Sequence, residues 1–269
     1  MKNWSETKEE RRERKARERP GPPTVPTPNP KIETTSNPKN YVVCLKWGTK
    51  YSAEYVNKLY NMVKRNLTIN YEFVCFTEDK KGIDPTIRVE PLPSLSVSGW
   101  WYKPWFLSNE LPIKGTLLFL DLDVVVFNNI DYLFTYKPEK NFCIIRDFNR
   151  HVRTQWDRMN SSVFRTHIGS QQQIYEQFKL STPATIRRFQ GDQDFMYKHI
   201  KDFSFWPDDW IQSYKWEMRS KKDLGIVNGK RNFIKHGFPT VKETTSIAVF
   251  HGDPNPSICQ DTWVKERWI

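Results

Sequence analysis

The sequence predicts an α/β protein with a mainly parallel central sheet flanked by helices, and three observations carry that expectation. A β-rich run, an amphipathic helical pattern and a second β-rich run follow one another between residues 41 and 77, the order of a βαβ unit. The run Leu117 to Leu120 is apolar without alternation, as expected for a strand covered on both faces. Shorter strand and helix patterns then continue to the end of the chain.

Tyr41 to Trp47 reads as the first strand and stops at Gly48. Ser52 can cap a helix whose apolar positions Tyr55, Val56, Leu59, Tyr60, Val63 and Leu67 recur at helical spacing. Tyr71 to Thr77 is the second strand, closed by Glu78 and Asp79. A short β-rich piece at Thr86–Val89 precedes Trp101–Leu111, which reads as a helix entered through Pro104. In Thr116 to Phe127 the first half is a continuous apolar run that reads as a buried strand, with Asp121 and Asp123 at its end. Beyond it the patterns suggest strands near 141–146 and 161–164, helices near 170–178 and 192–200, a Trp-rich stretch at 203–216, and a last strand over Ile247–Phe250.

Residues 1–40 differ in kind from the rest. Lys8 to Arg19 is nearly all charge of both signs, and Pro20 to Pro38 holds seven of the eighteen prolines, a composition that forms no packed element. They are read as a disordered tail, and 41–269 as one domain. Of the net charge of +11, the tail carries +4 and the body +7, so the excess is not a polyanion-binding strip, and no nucleic-acid partner is expected. The four Cys are far apart, with neither zinc-finger spacing nor a disulfide framework. No apolar run reaches the roughly 20 residues of a membrane span, and no signal-peptide core opens the chain. The expected location is the cytoplasm, which makes the Asn-x-Ser/Thr matches at Asn66 and Asn160 accidental.

Asp121 and Asp123 interrupt the most apolar window of the chain. In an extended segment two residues apart, their carboxylates would project to one side. Two negative charges at the end of a buried strand need a cation or another partner, and a divalent ion with hard oxygen ligands, Mn²⁺ or Mg²⁺, fits. Ligands of open α/β sheets bind outside the carboxyl ends of the strands, which is where the pair would lie.

Leu117-Leu-Phe-Leu-Asp-Leu-Asp-Val-Val-Val126 resembles the Asp-x-Asp strand of nucleotide-sugar-dependent glycosyltransferases with the Rossmann-like GT-A fold, above all glycosyltransferase family 8 and related phage and bacterial sequences. Tyr102-Lys103, ahead of the pair, is similar to that family's Tyr and basic residue; Gly191-Asp-Gln-Asp-Phe195 to its Asp-Gln-Asp segment; and Phe250-His-Gly252 to its His-containing motif. The resemblance spans about 41–256 in the family's order. It implies a hexosyltransferase that moves a sugar from a nucleoside diphosphate sugar, a UDP-sugar foremost, to a glycan, lipid or protein acceptor with retention. It implies Asp121, Asp123 and His251 as metal ligands, and Asp192, Gln193 and Asp194 as the residues facing the transferred sugar.

For the donor, the loop residues Lys46, Trp47, Gly48 and Tyr51 and the strand end at Thr77 are candidates, with Asp121 for the metal or the ribose, Lys103 for a phosphate or the sugar, and Gly252 in the late motif. The family's Lys after His and Gly is missing, since the chain reads His251-Gly-Asp-Pro-Asn255, so Lys103 or Lys265 is expected to supply that charge. Asn255 can bond a phosphate but cannot neutralise it. Asp147 is a further candidate base, and the stretch 203–216, with Asp208 and Asp209, a candidate acceptor wall. The Asp-x-Asp string also resembles the nucleophile strand of haloacid-dehalogenase-like phosphatases, but that strand opens its domain, whereas here a complete βαβ unit comes first. A non-catalytic basic protein that binds nucleic acid or sugar nucleotides is the remaining alternative.

Overall fold

The computed structural model describes residues 40–151, 153, 155–218, 225–227, 230–232 and 241–269. The tail expected over 1–40 lies outside them, apart from Asn40. The described residues belong to one unit, Asn37–Ile269.

Seven strands form the central sheet. β1 (Asn40–Lys46) pairs in parallel with β2 (Glu72–Thr77) on one side and β4 (Thr116–Leu120) on the other, and β3 (Arg88–Glu90) extends the edge in parallel with β2. Beyond β4 come β7 (Met159–His167), antiparallel to it, then β6 (Phe142–Arg146) and β8 (Ser204–Phe205), giving the order β3-β2-β1-β4-β7-β6-β8. Only β7 runs against the rest. The helix α1 (Ala53–Asn66) makes the crossover from β1 to β2.

Period-two alternation sorts the strand residues into two cores. Val42 and Cys44 of β1, Leu118 and Leu120 of β4, and Cys143 and Ile145 of β6 enter the core that also takes Tyr55, Val56, Leu59, Met62 and Val63 of α1. Their neighbours Tyr41, Val43, Leu45, Leu117, Phe119, Phe142 and Ile144 enter the opposite core. That second core is closed by a 3₁₀ segment over Gly99–Leu107, by α3 (Gln172–Leu180) and by α5 (Asp192–His199), with α4 (Thr182–Arg188) between them. Full burial of each large apolar side chain stabilises the fold by about 1.5–3 kcal/mol, so both faces of the sheet are strongly specified.

A smaller, three-stranded sheet joins β5 (Val124–Val126), β12 (Ile247–Val249) and β9 (Ile211–Ser213), with β12 in the centre. Short α2 (Tyr132–Thr135) and α6 (Thr262–Arg267) complete the helices, and β10 (Gly225–Val227) pairs with β11 (Lys230–Asn232) in a hairpin. All four cysteines are buried free thiols. Among the described residues no helix is long and apolar enough to cross a membrane.

Two elements differ from the sequence reading. The expected helix over Trp101–Leu111 is the tighter 3₁₀ segment ending at Leu107, because Pro104 inside it has no N–H to donate and its ring opposes an α-helical turn. The extended segment expected through Asp121 and Asp123 is interrupted: the strand before the pair and the strand after it belong to two different sheets. Asp121 N–H still bonds Ser162 O beside β7 at 2.9 Å, yet Asp123 O already accepts from Phe250 N–H beyond β12 at 2.9 Å. The chain changes sheets across Asp121-Leu122-Asp123, which is a turn, so strand alternation does not set the direction of the two carboxylates.

Candidate functional site

A cavity of about 380 Å³ opens where β1 and β4 end, outside the carboxyl edge of the parallel strands. Trp47 and Tyr51 from the loop after β1, Lys103 from the 3₁₀ segment, Asp121 and Asp123 from the sheet-changing turn, Asp192, Gln193 and Asp194 from the first turn of α5, and His251 and Gly252 after β12 all line it. The fold thus gathers residues that are up to two hundred positions apart.

The two carboxylates of the turn have different partners. The Lys103 ammonium, 5 % exposed, donates to both oxygens of Asp121, at 2.8 and 2.9 Å, and to the Ser161 carbonyl and hydroxyl at 3.1 and 3.2 Å. Burial works against the Lys103 charge, but Asp121, Asp192 and Asp123 outweigh it and hold its pKa above the ordinary value. Asp123 Oδ2 accepts from the Tyr51 hydroxyl at 2.8 Å. Burial, and then the neighbouring Asp121 charge, push the Asp123 carboxyl up to about 6, while burial and Asp123 push the Tyr51 phenol up as well.

Asp192 opens α5 after Gly191 and is buried. Its Oδ2 lies out of solvent with no hydrogen-bond partner among the described residues, and burial raises its pKa. Gln193 is pinned, donating from Nε2 to Asp147 Oδ2 at 2.9 Å, and Asp194 accepts from Arg158 at 3.3 Å. The exposed indole of Trp100 adds an aromatic surface to the cavity lining, and a Cβ on Gly191 would stand 3.6 Å from its nitrogen.

His251 is stacked 5.4 Å from Phe148 at 9°, and its Nε2 pairs with the Ser213 hydroxyl at 2.6 Å. Burial, helped by Lys215, lowers its pKa to about 4, so the ring is neutral at pH 7 and keeps a lone pair. Lys215, in a π-turn over Tyr214–Met218, donates to the His251 carbonyl at 2.7 Å, and a Cβ on Gly252, where φ is +82°, would lie 3.1 Å from its nitrogen.

Two carboxylates and a neutral imidazole are a suitable donor set for Mn²⁺ or Mg²⁺, and a cation beside Asp123 would relieve the repulsion that raises its pKa. Among the described residues, however, no three His, Cys, Asp or Glu side chains are gathered as a ligand cluster. Asp121 faces Lys103 and His251 faces Ser213, which leaves Asp123 as the carboxylate with no basic residue bonded to it.

Several expected contacts fall elsewhere. Lys46, Gly48 and Thr77 do not line the cavity: Lys46 is buried, the Gly48 N–H donates to Glu78 Oε1, and Thr77 Oγ1 accepts from the Asp79 N–H at 3.1 Å. Asn255 is occupied by the Tyr55 hydroxyl at 2.9 Å and by Ser257, and Lys265 donates to Gln260 at 2.8 Å. Asp147 is buried and serves Gln193. Of the supposed acceptor wall, Trp206 is core, Trp210 packs on Tyr132 and Tyr136, Asp208 pairs with Arg146, and Asp209 with Lys242; Trp216 alone of these reaches a hollow beside His251 and Gln193. Lys215, Ser213, Ser161 and Trp100 were missed. Lys215 sits in a stretch that draws attention for its aromatics rather than its charge.

No known family profile and no curated protein matches the chain in sequence. Solved structures do match in fold. The galactosyltransferase LgtC, in complex with donor and acceptor sugar analogues, superposes with a TM-score of 0.56 at 13% identity over 85% of this chain and 93% of its own. The apo glycosyltransferase GlyE of Streptococcus pneumoniae gives 0.57 at 13% identity, over 86% of this chain and 59% of its own. The bifunctional glycosyltransferase WbbM gives 0.54 at 13% identity, over 88% and 52%. At such identities the likeness establishes the fold: this chain has the GT-A architecture of these glycosyltransferases.

Proposed function

We propose that the chain is a metal-dependent glycosyltransferase of the family 8 type that takes a hexose from a nucleoside diphosphate sugar, a UDP-sugar foremost. The observation that carries this reading is the turn between β4 and β5. There two carboxylates line the cavity together with His251 and Asp192, at the ligand-binding edge of a glycosyltransferase fold.

In this reading Asp123 and His251 would hold Mn²⁺ or Mg²⁺, with Asp121 adding charge while bonded to Lys103. The metal, when bound, would stabilise the negative charge of the departing diphosphate. Trp47 and Tyr51 face the nucleoside, and Lys215 behind Gly252 contributes the positive field that the family's late Lys would supply. Asp192 Oδ2 accepts a hydroxyl of the transferred sugar, and Asp147 fixes Gln193 toward the anomeric face. Transfer breaks the anomeric C–O bond to the diphosphate and makes one to the acceptor oxygen, whose proton leaves with the diphosphate or a nearby carboxylate. Retention follows from the family resemblance.

The test is a panel of nucleotide sugars with Mn²⁺, with Mg²⁺ and with EDTA, read by release of nucleoside diphosphate. Metal-dependent release from one donor is the expected result. Equal release in EDTA would remove the metal assignment, and no binding or turnover of any donor would remove the function.

A further inference from the structure

A second hollow, of about 360 Å³, adjoins the main cavity and shares Gln190 and Asp194 with it. Three arginines line it, Arg153, Arg158 and Arg188, against the single carboxylate of Asp194. Arg153 and Arg158 rest on the indole of Trp156, 4.5 and 4.4 Å from the ring centroid, and Arg188 lies 5.6 Å from that of Phe189. Ring contact holds a guanidinium in place without consuming its N–H donors. Arg158 spends one donor on Asp194 at 3.3 Å, longer than a good charge-assisted bond.

The Trp156 indole N–H is also buried without a hydrogen-bond partner among the described residues. The lining of the hollow thus sets three guanidinium groups against one carboxylate and is positive by two charges. A tetrahedral dianion answers both properties, since a phosphate monoester carries about −1.5 to −2 at pH 7 and three strong acceptor oxygens.

We propose that this hollow binds a phosphate group carried by the acceptor substrate, which enters the main cavity past Gln190 and Asp194. The donor diphosphate has its own place in the reading above, beside Asp123, His251 and Lys215, whereas the arginines join the cavity at the α5 side. The word acceptor rests on the glycosyltransferase reading; the anion site rests on the three arginines and the rings that hold them.

The test is calorimetry on the full chain with inorganic phosphate, glucose 6-phosphate and glucose, each with and without saturating UDP and Mn²⁺, for the wild type and for Arg153→Glu/Arg188→Glu. Both substituted positions are exposed, so the variant should fold, and an unchanged melting temperature checks this. The two phosphates should bind and glucose should not, the double variant should weaken phosphate binding at least about tenfold, and UDP affinity should stay within about twofold. Equal binding of glucose and glucose 6-phosphate, unchanged phosphate affinity in the variant, or displacement of phosphate by UDP would each overturn the proposal. Phosphate binding that is lost in the variant, in a protein that binds no nucleotide, would support the anion site and count against the donor reading.

Discussion

The cavity has two walls, and they treat like residues differently. On one, Asp121 meets a resident cation: Lys103 is buried beneath it and is held charged by Asp121, Asp192 and Asp123 together. On the other, Asp123 has a tyrosine hydroxyl, and His251 a serine, with Lys215 bonded to the His251 carbonyl behind them. Two carboxylates of one tripeptide therefore end in opposite electrostatic states. The first wall is a finished ion-pair network. On the second, burial and the Asp121 charge raise the Asp123 pKa, a perturbation that marks candidate functional sites.

Substitutions can break this contrast. Asp123→Asn should lower sugar transfer by at least about a thousandfold, about 4 kcal/mol, with fold stability retained; a loss of about tenfold would erase the distinction between the walls. Lys103→Met should instead act on stability, costing about 3 kcal/mol in chemical denaturation by leaving Asp121 and Asp192 uncompensated, with Asp121→Asn recovering part of the loss. Strict additivity of those two substitutions would show that the pair is not coupled.

The pH response separates the two groups of the second wall. The folded Asp123 carboxyl titrates near 6, above its ordinary 3.8, so the folded state holds that proton longer and stability is lost as pH rises through this window. The folded His251 titrates near 4, below its ordinary 6.5, so the unfolded state takes that proton first and stability is lost as pH falls. The two slopes oppose each other in the wild type. Asp123→Asn removes one opposing carboxyl, so the stability of that variant should rise more steeply than the wild type's between pH 4 and 6.5, the histidine supplying about 3 kcal/mol of the rise; His251→Gln should shift the slope the other way. Identical pH profiles for the two variants would overturn both assignments. The smallest effect concerns the wall's backing: Gly252→Ala forces a Cβ onto a φ of +82° and toward Lys215, and should cost about 1–2 kcal/mol by thermal denaturation. A neutral outcome would mean that Lys215 is not held there.

Most of the sheet was legible because buried strands advertise themselves. The continuous apolar stretch of β4 and the βαβ pattern before it need only local patterning to be read. The sheet change at Asp121-Leu122-Asp123 was not, since β5 continues the same apolar string and only its pairing with β12, more than a hundred residues later, removes it from the central sheet. Helix α4 and the short α2 and α6 were likewise not read, each being too short for a clear helical period. Among site residues, those in compact motifs could be named, while Ser161, Ser213 and Lys215 could not. A lone Ser or Lys carries no signal until the fold supplies its neighbour.

The sequence by itself determined the α/β class and the succession of the main strands along the chain, which follow from periodicity, and it singled out Asp121 and Asp123 as charges placed where burial penalises them. Asp192, Gln193 and His251 entered as candidates through the motifs that resemble a glycosyltransferase family. Only the tertiary structure decided which carboxylate would have a cationic partner, which lysine would stand behind His251, and that three arginines would line one hollow. Charge energies depend on distances between residues remote in sequence and on the depth at which each is buried, and neither quantity exists until the sheets have packed.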